Sequence, residues 1–179
     1  MSRSATLASF VFGHQTTHRF RLTAIATGVI CATLASINLR VAGFEPALWQ
    51  WALLWILAFD LGGGIVAVTG HERLRYAADD EASPLRPVGF ACLHIHPLIA
   101  AALLPGLIWP EAILLWVMAS AAVLIVAATP DPMKRGVSLG LSALCLILMA
   151  FMPQAGWQWL APVYLLKLIA APAIDLKPR

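Results

Sequence analysis

Four side chains that can carry charge or bind a proton fall within long apolar stretches: Asp60, His94, His96 and Lys167. A charge at membrane depth costs at least about 2.5–3.5 kcal/mol, so such residues usually face protein and find partners. At about 1.5 Å per helical residue, Asp60 lies roughly 15 Å from the end of its stretch, the histidines roughly 9 and 12 Å, and Lys167 about 10 Å. Because three different stretches bring these groups to similar depths, we expect them to meet in one polar site.

Two interpretations of this group are open. In the structural interpretation, Asp60 and Lys167 pair with each other, or bind hydroxyl groups, and fix helix packing. In the functional interpretation, Asp60 is a proton-binding carboxylate in a cavity open to the cytoplasm, and His94 or His96 relays the proton. Tyr164 lies one helical turn before Lys167, so it is a candidate hydrogen-bond partner on the same face. These five residues form the candidate polar cavity.

Three consecutive glycines, Gly62, Gly63 and Gly64, come shortly after Asp60. Glycines in a membrane helix let a neighbouring helix approach closely. They also permit local unwinding, which carriers use at their binding sites. The glycines therefore indicate either close packing or a helix break. Pro97 directly follows the second histidine and removes one helical hydrogen bond, so we expect a kink there.

A metal ion is an alternative occupant of the site. Carboxylate and imidazole are accepted ligands of zinc and other transition metals, which makes Asp60, His94 and His96 candidate ligands. On a regular helix the two histidines point in nearly opposite directions, so their spacing is not diagnostic unless a kink turns them together. The chain has no Walker, dinucleotide-binding, CxxC or HExxH motif. We therefore assign no cofactor and no catalytic residue from the sequence.

The composition identifies the class of protein that must position these residues. Hydrophobic residues make up 60% of the 179-residue chain and charged residues 12%, whereas soluble domains are about 45–50% apolar and about 25% charged. This excludes an ordinary soluble domain. We predict an all-α polytopic membrane protein, a bundle of six transmembrane helices in a single domain over residues 1–179. At about 20 residues per crossing, the predicted spans are 22–41, 47–69, 88–109, 112–129, 136–152 and 157–174.

The basic residues predict an orientation. With six spans, all of the 12 lysines and arginines except Arg40 and Lys167 fall on the side of the two termini. The positive-inside rule then places both termini in the cytoplasm of a bacterial-type inner membrane. The net charge of +3 is explained in the same way, and nucleic acid is not expected as a partner. The expected partner is the lipid bilayer, and a homo-oligomer or a membrane partner stays open.

These residues favour a small proton-linked carrier or channel-like protein over an enzyme. Two alternatives stay open. One is a membrane-embedded, metal-dependent hydrolase that uses Asp60 with His94 and His96. The other is a non-catalytic membrane subunit that docks to its partner through Gly62–Gly64.

Overall fold

The computed structural model describes residues 17–70, 85–152 and 155–173. Within them, 83% of residues are helical and none belongs to a strand, so the predicted all-α fold is confirmed. Both chain ends and residues 71–84, which carry half of the basic residues behind the predicted orientation, lie outside the described residues. The helices are α1 (His18–Val41), α2 (Leu48–Gly70), α3 (Leu85–Leu93), α4 (His96–Leu103), α5 (Trp109–Ala128), α6 (Asp131–Ala150) and α7, which starts as Leu160–Leu165.

Helix α7 changes its winding along its length. After Leu160–Leu165 it continues as a π-helical turn over Leu166–Ala170 and ends as a 3-10 turn over Ala171–Ala173. Almost all of its side chains are buried, and it packs against α2, α5 and α6. Helix α7 is therefore enclosed by other helices of the described chain.

Most of the helices have the length and composition of membrane spans. Large apolar side chains such as Ile30 and Ile56 point away from the protein, and soluble monomers seldom expose so much apolar surface. Leu160–Ala173 is apolar too, but shorter than a full span. Five helical segments of the described residues are long and apolar enough to cross a bilayer: His18–Val41, Leu48–Thr69, Arg86–Leu103, Trp109–Ala128 and Asp131–Ala150.

Helices α1 and α2 form a tight pair through small residues. The N-terminus of α1 is capped by Thr17, whose hydroxyl accepts a hydrogen bond from the N–H of Phe20 at 3.2 Å. A Cβ atom added to Gly28 would lie 2.8 Å from the ring of Phe59 in α2, so only glycine permits this approach. The buried face of α1 repeats every three or four residues, as helix packing requires: Ala24, Gly28, Ala32, Ala35 and Leu39.

The third predicted span is interrupted between α3 and α4. Pro97 lies in the first turn of α4 and has no backbone N–H to continue the helix. The carbonyl of Leu93 accepts a hydrogen bond from the N–H of Ile95 instead, at 2.9 Å. The kink expected at Pro97 is thus a break in the helix over two residues, His94 and Ile95.

This span also ends earlier than the predicted residue 109. Helix α4 ends at Leu103, and Leu104 has extended backbone. Gly106 has a φ of +92°, a left-handed conformation that favours glycine. The indole N–H of Trp157 donates to the carbonyl of Pro105 at 3.0 Å. The turn after α4 is therefore fixed to the segment that leads into α7.

Helices α5 and α6 both begin with a proline in the first turn, where its missing N–H has no helical partner to lose. Helix α6 begins at Asp131 rather than at the predicted residue 136, and the carboxylate of Asp131 pairs with Lys134 at 2.6 Å. In the first turn of α5, Glu111 is buried. It lies three residues after the N-cap, Ile108, the position of a capping glutamate, but both of its carboxylate oxygens are buried without a hydrogen-bond partner among the described residues.

Candidate functional site

The candidate site lies where α2 meets the break between α3 and α4 and the π-helical turn of α7. Asp60 lies in the middle of α2, about 18 Å along the helix axis from its first residue. His94 lies in the break between α3 and α4, and His96 is the first residue of α4. Lys167 lies in the π-helical turn of α7. A helix break and a π-helical turn, both frequent at functional sites, thus meet at one point.

One carboxylate oxygen is the centre of the site. The ammonium group of Lys167 donates to Oδ2 of Asp60 at 2.6 Å and to the backbone carbonyl of Asp60 at 3.1 Å. Nε2 of His96 lies 2.8 Å from the same Oδ2. Three of the four ionisable residues singled out in the sequence are therefore in direct contact.

The two sides of this ion pair differ sharply in exposure. The side chain of Lys167 is 3% exposed, whereas that of Asp60 is 48% exposed. His96 is intermediate, at 18%. The lysine thus depends on the carboxylate for its counter-charge, while the carboxylate can also be reached from outside the bundle.

Gly64 makes room for the lysine. A Cβ atom on Gly64 would overlap Cε of Lys167 and lie 2.8 Å from its Nζ. Gly62 and Gly63 face α1 instead, where added Cβ atoms would lie 3.0 Å from the sulfur of Cys31 and 2.9 Å from the carbonyl oxygen of Ala24. Helix α2 is continuous through all three glycines. They therefore serve close packing, and the helix break of the site lies at the histidines.

Side chains from two other helices hold the ends of the break. The hydroxyl of Tyr164 in α7 donates to the carbonyl of His94 at 2.5 Å, rather than to Lys167 as its position one turn earlier suggested. The indole N–H of Trp116 in α5 donates to the carbonyl of Cys92 at 3.2 Å. Both carbonyls belong to residues around the interrupted turn. These two hydrogen bonds therefore stabilise the break in the helix.

The hydrogen bonds of the two histidines define which ring nitrogens carry protons. Nδ1 of His94 lies 2.7 Å from the carbonyl of Phe90, and because a carbonyl only accepts, Nδ1 is the donor. By the same argument, His96 donates through Nε2 to the carboxylate of Asp60. Nδ1 of His96 is buried and has no hydrogen-bond partner within the described part of the chain. The two rings stack with centroids 5.1 Å apart, so the break has turned both histidines to one side.

The same atoms include a possible donor set for a metal. Ligand atoms of Asp60, His94 and His96 all lie within 4.8 Å of one another. However, Oδ2 of Asp60 already accepts a hydrogen bond from the ammonium of Lys167 at 2.6 Å. A divalent ion would add two positive charges beside a buried lysine, whereas the carboxylate and the ammonium balance each other. The charges therefore favour a proton or an anion at this site, and we assign no metal ligands.

Sequence reasoning missed the residues that build the scaffold of the site. Trp116 and the π-helical turn around Lys167 have no signal in the sequence pattern, because each depends on the neighbouring helix. Pro97 did signal the break.

No protein-family model, curated protein or solved structure matches this chain.

Proposed function

We propose that the chain is a small proton-linked carrier or channel-like protein of a bacterial-type inner membrane. The observation that supports this most is the ion pair between Asp60 and Lys167 in the middle of apolar helices. A structural pair gains most when both partners are enclosed and fixed. Here the carboxylate is half exposed beside an unpartnered imidazole nitrogen, which is the arrangement that proton exchange requires.

The proposed topology has six crossings and both termini in the cytoplasm. It counts α3 and α4 as one broken crossing and α7 as the sixth. At about 1.5 Å per residue, the 14 residues from Leu160 to Ala173 extend about 21 Å. Because α7 is surrounded by the other helices, it needs less length than a helix in contact with lipid.

The proton joins Asp60 from the exposed side of its carboxylate. His96 keeps its own proton on Nε2, so this nitrogen can still donate a hydrogen bond across 2.8 Å. The neutral carboxyl group then holds Lys167 far more weakly. The charged and titratable groups acting on Asp60 among the described residues are Lys167 and His96, with His94 stacked on the latter. Protonation of Asp60 therefore switches the ion pair off.

Proton binding and proton movement test this proposal separately. In reconstituted bilayers, acidification is expected to produce an infrared carbonyl band of a protonated carboxyl group that is missing in Asp60→Asn. Asp131→Asn is the matched control, because Asp131, whose side chain is 65% exposed, pairs with Lys134 at the same distance. In a second experiment, pools of organic anions, amino acids, sugars or alkali cations are added to the same vesicles, and a pH-sensitive dye inside the vesicles reports the internal pH. The proposal fails if no band depends on Asp60, or if no pool changes the internal pH more than in empty vesicles.

A metal-dependent hydrolase is the second candidate, supported by the 4.8 Å convergence of Asp60, His94 and His96. It predicts that protein purified without chelator contains about one transition-metal ion per chain, and that Asp60→Asn loses it. The third expectation, docking through Gly62–Gly64, receives no support from the geometry. All three glycines contact other parts of the same chain.

A further inference from the structure

Protonation of Asp60 leaves a positive charge without a partner. In the structure, the negative charge of Asp60 offsets that of Lys167, whose side chain is 3% exposed. Once Asp60 is neutral, the ammonium keeps uncharged acceptors such as the backbone carbonyl of Asp60 at 3.1 Å, but its negative partner of the ion pair is gone. An unpaired charge at this depth is strongly unfavourable. A second negative charge that enters together with the proton restores the charge balance of the site.

We propose that this charge is the carboxylate of a small, otherwise apolar monocarboxylate, carried with one proton. This inference rests on the proposed function and names the substrate class of the same site. The incoming carboxylate takes the place of Asp60 on Lys167 and His96, while the carboxyl group of Asp60 keeps the proton. The substrate is thus recognised by the donors that bind Asp60 in the structure.

The donors have the geometry for this exchange. Nζ of Lys167 and Nε2 of His96 converge on one oxygen, at 2.6 and 2.8 Å. The carboxylate of a substrate offers the same acceptor group as Asp60. Its hydrogen bonds to both donors are charge-assisted, and such bonds are stronger than those between neutral groups. A neutral or cationic solute does not supply the negative charge that Lys167 loses when Asp60 is protonated.

The surroundings indicate the rest of the substrate. Asp60 is 48% exposed, so the site is open on the side of the carboxylate. Ile56, one turn earlier on the same face of α2, is exposed, and so are Leu93 and Ile95 beside the histidines. The opening is therefore flanked by apolar side chains, which suit a small apolar body and offer no second cationic group for a dicarboxylate.

The charges of the complete step balance. The empty site holds Asp60 as carboxylate and Lys167 as ammonium, and its net charge is zero. One proton joins Oδ2 of Asp60, and one substrate carboxylate binds Lys167, so the loaded site is again neutral. Transport is consequently electroneutral, with one proton per substrate anion, and does not respond to membrane voltage.

Uptake of radiolabelled pyruvate into vesicles tests this directly. A pH gradient, alkaline inside, drives uptake by the wild type and Asp131→Asn, and clamping the voltage with potassium and valinomycin leaves the rate unchanged. Asp60→Asn and Lys167→Met are expected to lower the initial rate about 100-fold, the scale of losing one partner of a buried charge pair. Pyruvamide, which lacks the carboxylate, is expected not to compete.

The outcomes separate this inference from the proposed function. If the infrared band depends on Asp60 and another solute pool moves protons, but pyruvate and other monocarboxylates do not enter, the substrate class is wrong and the carrier stands. Uptake that follows voltage overturns the electroneutral exchange. If Asp60 takes no proton at all, the proposed function fails first.

Discussion

Lys167 is buried and Asp60 is half exposed, so we predict that removing Asp60 lowers the unfolding free energy more than removing Lys167 does. In Asp60→Leu, the ammonium of Lys167 stays buried without its counter-charge, a change that costs about 3–5 kcal/mol of unfolding free energy. In Lys167→Met, the carboxylate is half exposed and keeps its hydrogen bond from His96. We expect a smaller loss of about 1.5–3 kcal/mol, as for a hydrogen bond to a charged group.

The double variant gives the sharper test, because the predicted effect of Lys167→Met on stability has opposite signs in the wild type and in Asp60→Leu. Lys167→Met destabilises the wild type, but in the background of Asp60→Leu it removes an unpaired buried charge. There it is expected to stabilise the protein by about 1–3 kcal/mol. The matched pair is Asp131 with Lys134, whose carboxylate side chain is 65% exposed. The same two substitutions there are expected to change stability by about 0.2–1 kcal/mol each.

Reversible unfolding in mixed detergent micelles, followed by helical circular dichroism, measures all of these variants. Two results would refute the reasoning. One is that Lys167→Met destabilises the protein as much as Asp60→Leu does. The other is that the two changes add in the double variant, because the lysine would then not depend on Asp60 for its charge balance.

Three further predictions follow from the groups around the pair. Gly64→Ala is expected to push the Lys167 ammonium away from Asp60 and to abolish solute-driven proton movement, with a stability change within about 1–3 kcal/mol. The control is Gly140→Ala, where an added Cβ meets nothing within 4 Å; it leaves proton movement and stability unchanged. Lys167→Arg keeps the charge, but its planar group does not fit over Gly64, so proton movement measured in dye-loaded vesicles is lost here too. Tyr164→Phe leaves the carbonyl of residue 94 without its donor, lowers the unfolding free energy by about 1–3 kcal/mol, and speeds amide hydrogen exchange at the break; unchanged exchange would show that the hydroxyl does not hold it.

Much of this arrangement could be predicted because burial of charge in an apolar chain is costly. Asp60 and Lys167 stand out in a sequence that is 60% hydrophobic, and counting residues along each helix places them at similar depth. Helical composition also indicates the spans, since apolar runs of about 20 residues have few other uses. These inferences need only local sequence and the cost of a charge in hydrocarbon.

The remaining features depend on contacts between distant segments. The π-helical turn in α7 aims Lys167 at α2, and the partner of the Tyr164 hydroxyl is a carbonyl in the break before α4. Periodicity alone could not place the histidines, because a regular helix would point His94 and His96 apart and the sequence does not say how far a kink at Pro97 turns them. Only the break, held by Trp116 and Tyr164, brings their rings within 5.1 Å.

The most direct test of the central claim is the distance between Asp60 and Lys167 as pH changes. Solid-state NMR of the protein in bilayers, with ¹³C on the Asp60 carboxyl and ¹⁵N on the Lys167 amine, measures that distance and the protonation of the carboxyl together. At high pH, we expect an ionised carboxylate in hydrogen-bond contact with the amine, matching the 2.6 Å Nζ–Oδ2 separation. On acidification, the carboxyl signal should become that of a protonated group and the coupling to the amine should weaken in parallel. A pair that is absent at every pH, or that stays intact while Asp60 never takes a proton, would contradict the account.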